Sequence, residues 1–178
     1  MHTEPGNDDL VPRIRKEQAA FPAEHMRVIG EICVMWAAME DAALQAICES
    51  ASISQYEGLY LGSSIPAGVR FDMLHAIANT LKEVPNGGKK IGEEMIRLLQ
   101  KVRDAYALRN KYAHARIRTN GPDKDPELHV SRVTKRLDID RRPLPLSELK
   151  ADADAIFEAC DAFMSFLQQR GICRTAWP

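Results

Sequence analysis

The chain contains no apolar run that approaches the length needed to span a bilayer. Its first residues, MHTEPGNDDLVPRIRK, also lack the uninterrupted apolar stretch of a secretory signal. We therefore predict a cytoplasmic protein without membrane contact. At 178 residues, 45% of them hydrophobic, the chain has material for one buried core but not for two full-sized domains. A single domain is expected.

Cysteine is scarce, and its four copies lie far apart in the chain: Cys33, Cys48, Cys160 and Cys173. They form no CxxC pair of the kind that holds zinc. At least Cys33 and Cys160 fall on the apolar faces of predicted helices. We therefore interpret the cysteines as reduced core thiols and not as zinc ligands.

Motifs of several enzyme classes are missing as well. The chain has no GxSxG nucleophile motif, no P-loop and no paired-carboxylate motif. The histidines His2, His25 and His129 lack the spacing with Cys, Asp or Glu that is typical of metal sites. We predict that the protein uses neither a metal nor an organic cofactor.

The formal net charge of −1 argues against a general nucleic-acid coat, but the basic residues are unevenly distributed. From residue 101 to residue 118 a single acid, Asp104, accompanies six basic residues: Lys101, Arg103, Arg109, Lys111, Arg116 and Arg118. The basic residues Arg132, Lys135, Arg136, Arg141 and Arg142 follow in the next segment. A basic surface here would attract phosphate, and salt would weaken that attraction. An ordinary solvated charged face is the alternative.

Apolar periodicity predicts a mostly helical domain over residues 22–172, between a mobile N-terminal tail (1–21) and a C-terminal tail (173–178). Amphipathic helices are predicted at about 23–50, 66–84, 89–115 and 147–170, with a turn-rich stretch before the second helix. Between the last two helices, residues 116–146 form an insert that contains a β-hairpin or an irregular excursion. The predicted fold class is all-α, a four-helix domain with this insert between the third and fourth helices.

Residues 109–114, RNKYAH, lie where the third predicted helix ends. Arginine supplies a permanent charge and a fork of donors that matches phosphate oxygens, and histidine can carry protons near neutral pH. Asn110 and His114 are four residues apart, so the amide can orient the imidazole. The same spacing of Arg and His recurs in Arg70 and His75, near the start and middle of the second helix, where we favour a structural role.

Two charged residues continue apolar helix stripes. Arg109 lies seven residues after Val102, and Glu40 lies seven residues before Ile47. Because an unpaired buried charge costs several kcal/mol, such groups pair with each other or line a wet cleft. We therefore expect Glu40 to face Arg109 or His114. The alternative is that His114 satisfies the last helix carbonyls and that Arg109 forms a structural ion pair.

The segment LRNKYAHARI at the end of a long helix resembles the signature of HEPN domains, a family of four- to five-helix bundles. Arg109, Asn110 and His114 match the Arg, the following polar residue and the His of that motif. Glu40 matches an acidic residue on the inner face of the first helix, IGEICVMWAAMEDAALQAI. Ala115 stands where many members have Gly, and the insert at 116–146 is not part of the minimal bundle.

The resemblance implies a metal-independent endoribonuclease that cleaves RNA by attack of the ribose 2′-hydroxyl, in a composite site of a homodimer. Arg109, His114 and Asn110 would be catalytic and Glu40 supporting, and the nearby Lys111, Arg116 and Arg118 are the predicted RNA-binding residues. The resemblance also implies a component of a defence or toxin–antitoxin system, with an antitoxin or other neutralising protein as partner. Two alternatives are a plain helical scaffold and a non-catalytic module of the same fold. Such a module would bind RNA, nucleotide or protein, with Arg109 and His114 structural.

Overall fold

The described part of the chain is mostly helical, with one small sheet. The computed structural model describes residues 21–119, 125–133 and 137–172, so both predicted tails lie outside the described residues apart from Phe21. In chain order the elements are α1 (Ala23–Ala51), α2 (Gln55–Ser64), α3 (Ala67–Lys82), α4 (Gly88–Ala113), β1 (Arg116–Arg118), β2 (Glu127–Val133), β3 (Leu137–Pro143) and α5 (Leu146–Gln169). The predicted helical class is confirmed. None of the described helices is long and apolar enough to cross a membrane.

These elements are distributed over two compact units. The first unit contains the described residues 21–31, 110–119, 125–133 and 137–153, and the second contains 32–109 and 154–172. The sheet belongs to the first unit, and α2 and α3 belong to the second. Helices α1, α4 and α5 contribute residues to both units. The expected single domain over 22–172 stays a prediction.

The buried faces of α1 and α4 in the second unit follow the predicted apolar stripes. On α1 the residues Ile32, Trp36, Met39, Ala43 and Ile47 recur every three or four positions and are all buried. On α4 the same is true of Met95, Leu98, Val102 and Ala105, and the adjacent Leu99 is buried as well. One assignment was wrong. Cys33 is exposed, because it is rotated by about 100° from the buried Ile32 on the same helix. Cys48 and Cys160 are buried thiols as predicted.

Helix α2 occupies part of the turn-rich stretch that was predicted before the second helix. Its start has a reciprocal capping box, in which Ser54 N donates to Glu57 Oε2 at 3.0 Å and Glu57 N donates to Ser54 Oγ at 3.4 Å. Its glycines allow close packing on α1, since a Cβ on Gly58 would clash with the side chain of Cys48, and one on Gly62 with that of Leu44. The glycines therefore mark a helix contact and not a turn.

The sheet has the antiparallel order β1-β2-β3. The predicted hairpin corresponds to β1 and β2, in which Ile117 pairs with Leu128. The third strand was not predicted. Leu128 and Leu144 are fully buried, and Leu144 N donates to Pro126 O at 2.7 Å. Both leucines belong to the first unit.

Candidate functional site

The motif RNKYAH lies at the C-terminal end of α4, as predicted. Arg109 and Asn110 are in the last turns of the helix and are half-buried. His114 is the first residue after the helix, and its backbone N–H donates to Asn110 O at 3.3 Å. The imidazole of His114 is exposed, which leaves it accessible to a substrate. The boundary between the two units falls between Arg109 and Asn110.

The guanidinium group of Arg109 lies over the ring of Trp36, 6.0 Å from the ring centroid. This distance is within the range of a cation–π interaction. Trp36 also stacks on Tyr106, with 5.5 Å between centroids, and meets Phe71 edge-on at 6.1 Å. Arg109 therefore continues the buried face of α4, as its spacing from Val102 predicts, and ends against an aromatic cluster.

Glu40 contacts the same cluster through Trp36. Trp36 Nε1 donates a hydrogen bond to Glu40 Oε1 at 2.6 Å, and Arg70 Nη1 lies 3.6 Å from Glu40 Oε2. The half-buried carboxylate is thus paired, which reduces the cost of removing part of its charge from water. Its described contacts with Arg109 are indirect, because both residues touch Trp36. That Glu40 faces Arg109 or His114 directly stays a prediction.

The second copy of the Arg–His spacing has a structural explanation. Arg70 Nε donates to Ile65 O at 3.1 Å and Arg70 Nη2 donates to Gly62 O at 2.5 Å. These carbonyls lie at the C-terminal end of α2, where helix carbonyls have no partner within the helix. His75 Nδ1 accepts a hydrogen bond from Asn79 one turn later on α3. The contacts of Arg70 agree with the structural role that we favoured for it.

Lys111, a predicted RNA-binding residue, is held by two carboxylates of α5. Lys111 Nζ donates to Glu148 Oε1 at 2.7 Å and to Asp152 Oδ2 at 2.6 Å. Burial disfavours the ammonium ion, but the hydrogen bonds to Asp152 and Glu148 outweigh it, and the pKa of Lys111 is raised. Because its charge is neutralised within the first unit, we no longer count Lys111 among the residues available to phosphate.

Tyr112 and Arg142 extend this network. Tyr112 Oη donates to Asp152 Oδ2 at 2.5 Å, and burial followed by this hydrogen bond raises the pKa of Tyr112. Arg142 makes two hydrogen bonds to Glu148, of 2.8 and 2.9 Å. Arg142 and then Lys111 lower the pKa of Glu148 to about 2. The network joins the end of α4 to β3 and the start of α5, so the turn that precedes His114 is firmly held.

Arg116 and Arg118, the other predicted RNA-binding residues, are exposed on β1, while Ile117 between them is half-buried. They follow His114 in the first unit by two and four residues. The described carboxylates give neither guanidinium group an ion pair, in contrast to Lys111. Both arginines are therefore available to an anionic ligand.

Within residues 21–119, 125–133 and 137–172, no three His, Cys, Asp or Glu side chains come together in a group that could hold a metal ion. The acidic partners Glu148 and Asp152 were missed from the sequence, although their spacing of four on α5 places them on one face. A comparison of the chain with models of known protein families, with curated proteins and with solved structures finds no match.

Proposed function

We propose that this protein is a metal-independent endoribonuclease with a HEPN-type bundle, acting as a homodimer in the cytoplasm. Arg109 and His114 are its principal catalytic residues, Asn110 assists them, and Glu40 supports Arg109. The observation that carries the proposal is the end of α4, where an exposed His114 follows a firmly held helical turn and precedes two exposed arginines. An accessible proton carrier beside positive charge is what phosphodiester transfer requires.

In the proposed reaction the ribose 2′-oxygen attacks the adjacent phosphorus and gives its proton to a His114 imidazole. The new bond joins O2′ to phosphorus, and the bond from phosphorus to O5′ breaks. The O5′ leaving group takes a proton from the second His114 of the dimer. Arg109 stabilises the charge that develops on the phosphoryl oxygens. The products are a 2′,3′-cyclic phosphate and a 5′-hydroxyl end.

The contacts of Arg109 also favour a second candidate, a binding module of the same fold that does not cut RNA. Arg109 lies against Trp36, and a guanidinium group packed on an indole can serve stability alone. In this alternative His114 is an exposed helix-end residue without a chemical role. If the protein is a nuclease, loss of Arg109 or His114 abolishes cleavage. If it is a binding module, the same loss lowers stability or prevents assembly.

The first experiment incubates purified protein with total RNA in EDTA and analyses the cleaved ends. We expect cyclic phosphate ends with the wild type and none with His114→Ala or Arg109→Ala. Loss of a general acid–base residue lowers the rate by roughly 10²- to 10⁴-fold. Thermal melting of each variant shows whether the fold survives. Wild-type protein that leaves RNA intact would favour the binding module.

The chain supplies a matched control in its second Arg–His pair. His75→Ala removes an imidazole with the same spacing from an arginine, but we expect it to leave cleavage unchanged. If His75→Ala and His114→Ala reduce cleavage equally while both remain folded, the assignment to residues 109–114 is wrong.

A mixing experiment tests the composite site. Wild-type and His114→Ala chains are unfolded and refolded together in varied proportions. Because the proposed cleft needs a His114 from each chain, mixed dimers should be inactive, and activity should fall with the square of the wild-type fraction. A linear fall would contradict a shared site.

A further inference from the structure

Strand register brings three basic side chains into one row across the sheet. Arg116 of β1 pairs with His129 of β2, and His129 pairs with Arg141 of β3. Residues directly opposite each other in antiparallel strands point to the same face, with Cβ atoms about 5 Å apart. The two arginines therefore stand roughly 10 Å apart, one on either side of the histidine.

The side chains of the neighbouring row point to the other face of the sheet, where they are buried, half-buried or hydrogen-bonded. This row consists of Ile117, Leu128 and Arg142. Leu128 is fully buried, and Arg142 is hydrogen-bonded to Glu148 of α5. Successive side chains of a β-strand point to opposite faces of the sheet. The sheet therefore has an inner face, which contacts other residues of the first unit, and an outer face. Arg116 and Arg141 are exposed on the outer face.

The outer face carries an excess of positive charge. Arg118 of β1 is also exposed there, in register with Glu127 of β2. The carboxylate of Glu127 is 3.2 Å from His129 Nε2, and it is a weak counter-charge for three guanidinium groups. Within the described residues, the guanidinium groups of Arg116, Arg118 and Arg141 make no hydrogen bond or ion pair. Such a row favours a polyanion as ligand.

We propose that this outer face binds the phosphodiester backbone of the RNA, with Arg116 and Arg141 contacting phosphates on either side of His129. The proposal rests on the ribonuclease function above, and it assigns the outer face of β1, β2 and β3 to substrate binding. His114 precedes Arg116 by two residues in the same unit. An RNA strand bound to the arginines of β1 would therefore lead toward the imidazole of His114. Phosphate contacts of this kind fix the position of a nucleic acid without reading its sequence.

The test measures binding of a fluorescein-labelled single-stranded RNA of mixed sequence by anisotropy, in a His114→Ala background that prevents cleavage. We expect Arg116→Gln and Arg141→Gln each to weaken binding about three- to fivefold at low salt. Each substitution also lowers the slope of log affinity against log salt by roughly 0.7. Arg97→Gln, which removes an exposed arginine of α4, is the control of equal charge and leaves both quantities unchanged.

The outcomes separate this proposal from the proposed function. With His114 intact, Arg116→Gln and Arg141→Gln should both raise KM, and Arg141→Gln should leave kcat unchanged. If these variants cleave RNA with an unaltered KM, the proposal that the outer face binds RNA is wrong, but the proposed nuclease function is supported. If RNA binding depends on these arginines but the wild-type protein does not cleave RNA, the RNA-binding role of the outer face is supported and the nuclease function is wrong. Absence of RNA binding, or polyglutamate bound as tightly as RNA through the same arginines, would overturn the RNA assignment.

Discussion

Replacing Glu148 by glutamine removes the charge of a carboxylate that receives hydrogen bonds from both Arg142 and Lys111. The substitution keeps the size of the side chain and one oxygen acceptor. It therefore removes the negative charge and one acceptor of the network at the end of α4 with little change in side-chain volume. We expect Glu148→Gln to destabilise the protein near neutral pH without preventing folding.

The pKa of Glu148 gives the magnitude. Lowering this pKa from 4.5 to about 2 corresponds to roughly 3 kcal/mol of preferential stabilisation of the charged carboxylate in the folded state. The side chain of Glu148 is 32% exposed, so solvent screens part of this interaction. We expect a loss of about 1–2 kcal/mol in the free energy of unfolding at neutral pH.

The pH dependence follows from the sign of the shift. Because folding lowers the pKa of Glu148, its contribution is complete above the unfolded value of 4.5 and is lost as the pH falls toward about 2. Urea unfolding of wild type and Glu148→Gln, from about pH 7 down to about pH 3, should show two stability curves that converge. Glu158→Gln, the same substitution at an exposed position of α5, is the control. A Glu148→Gln deficit that stays constant over this pH range would refute the electrostatic argument.

Three further substitutions or measurements test the packing. Gly92→Ala should cost about 1–3 kcal/mol in thermal or urea unfolding because its methyl group would clash with the main-chain oxygen of Ala78 on α3, whereas Gly68→Ala, with open space around it, should gain about 0.5–1 kcal/mol; equal effects would contradict the contact. His25→Ala removes a buried hydrogen bond of 3.0 Å to a main-chain carbonyl and should cost about 1–3 kcal/mol in urea unfolding, so an unchanged midpoint would show that the bond contributes nothing. Maleimide should label the exposed Cys33 in the native protein and Cys160 only on unfolding, as detected by peptide mass spectrometry, since burial raises the pKa of Cys160 to about 12. Rapid labelling of Cys160 in the native protein would be inconsistent with its burial.

Local periodicity was sufficient to predict most of the helical structure. The stripes of α1 and α4 recur every three or four residues over many turns, and the predicted helices agree with the observed ones to within a few residues. The position of RNKYAH at the end of α4 follows from the same pattern. Long amphipathic helices can be predicted from the sequence because one face must be apolar along its whole length.

Helix α2 was missed because its composition is misleading outside its context. Glycine is unfavourable in helices, and a stretch with Gly58 and Gly62 was therefore assigned to turns. Both glycines instead lie against side chains of α1, Gly58 against Cys48 and Gly62 against Leu44. A sequence signal was available at the start of the helix, where Ser54 and Glu57 have the spacing of a capping box.

By itself the sequence determined the helical class, the apolar stripes and the place of the RNKYAH segment, because these depend on neighbours three to seven residues away. Only the tertiary structure decided which of the charges are neutralised. Lys111 and Arg116 are five residues apart and both basic, yet Lys111 is held by α5 carboxylates 37 and 41 residues away, and Arg116 remains exposed. The row of Arg116, His129 and Arg141 likewise exists only through strand register. Pairings over such separations depend on how the chain folds back, which local residue spacing does not encode.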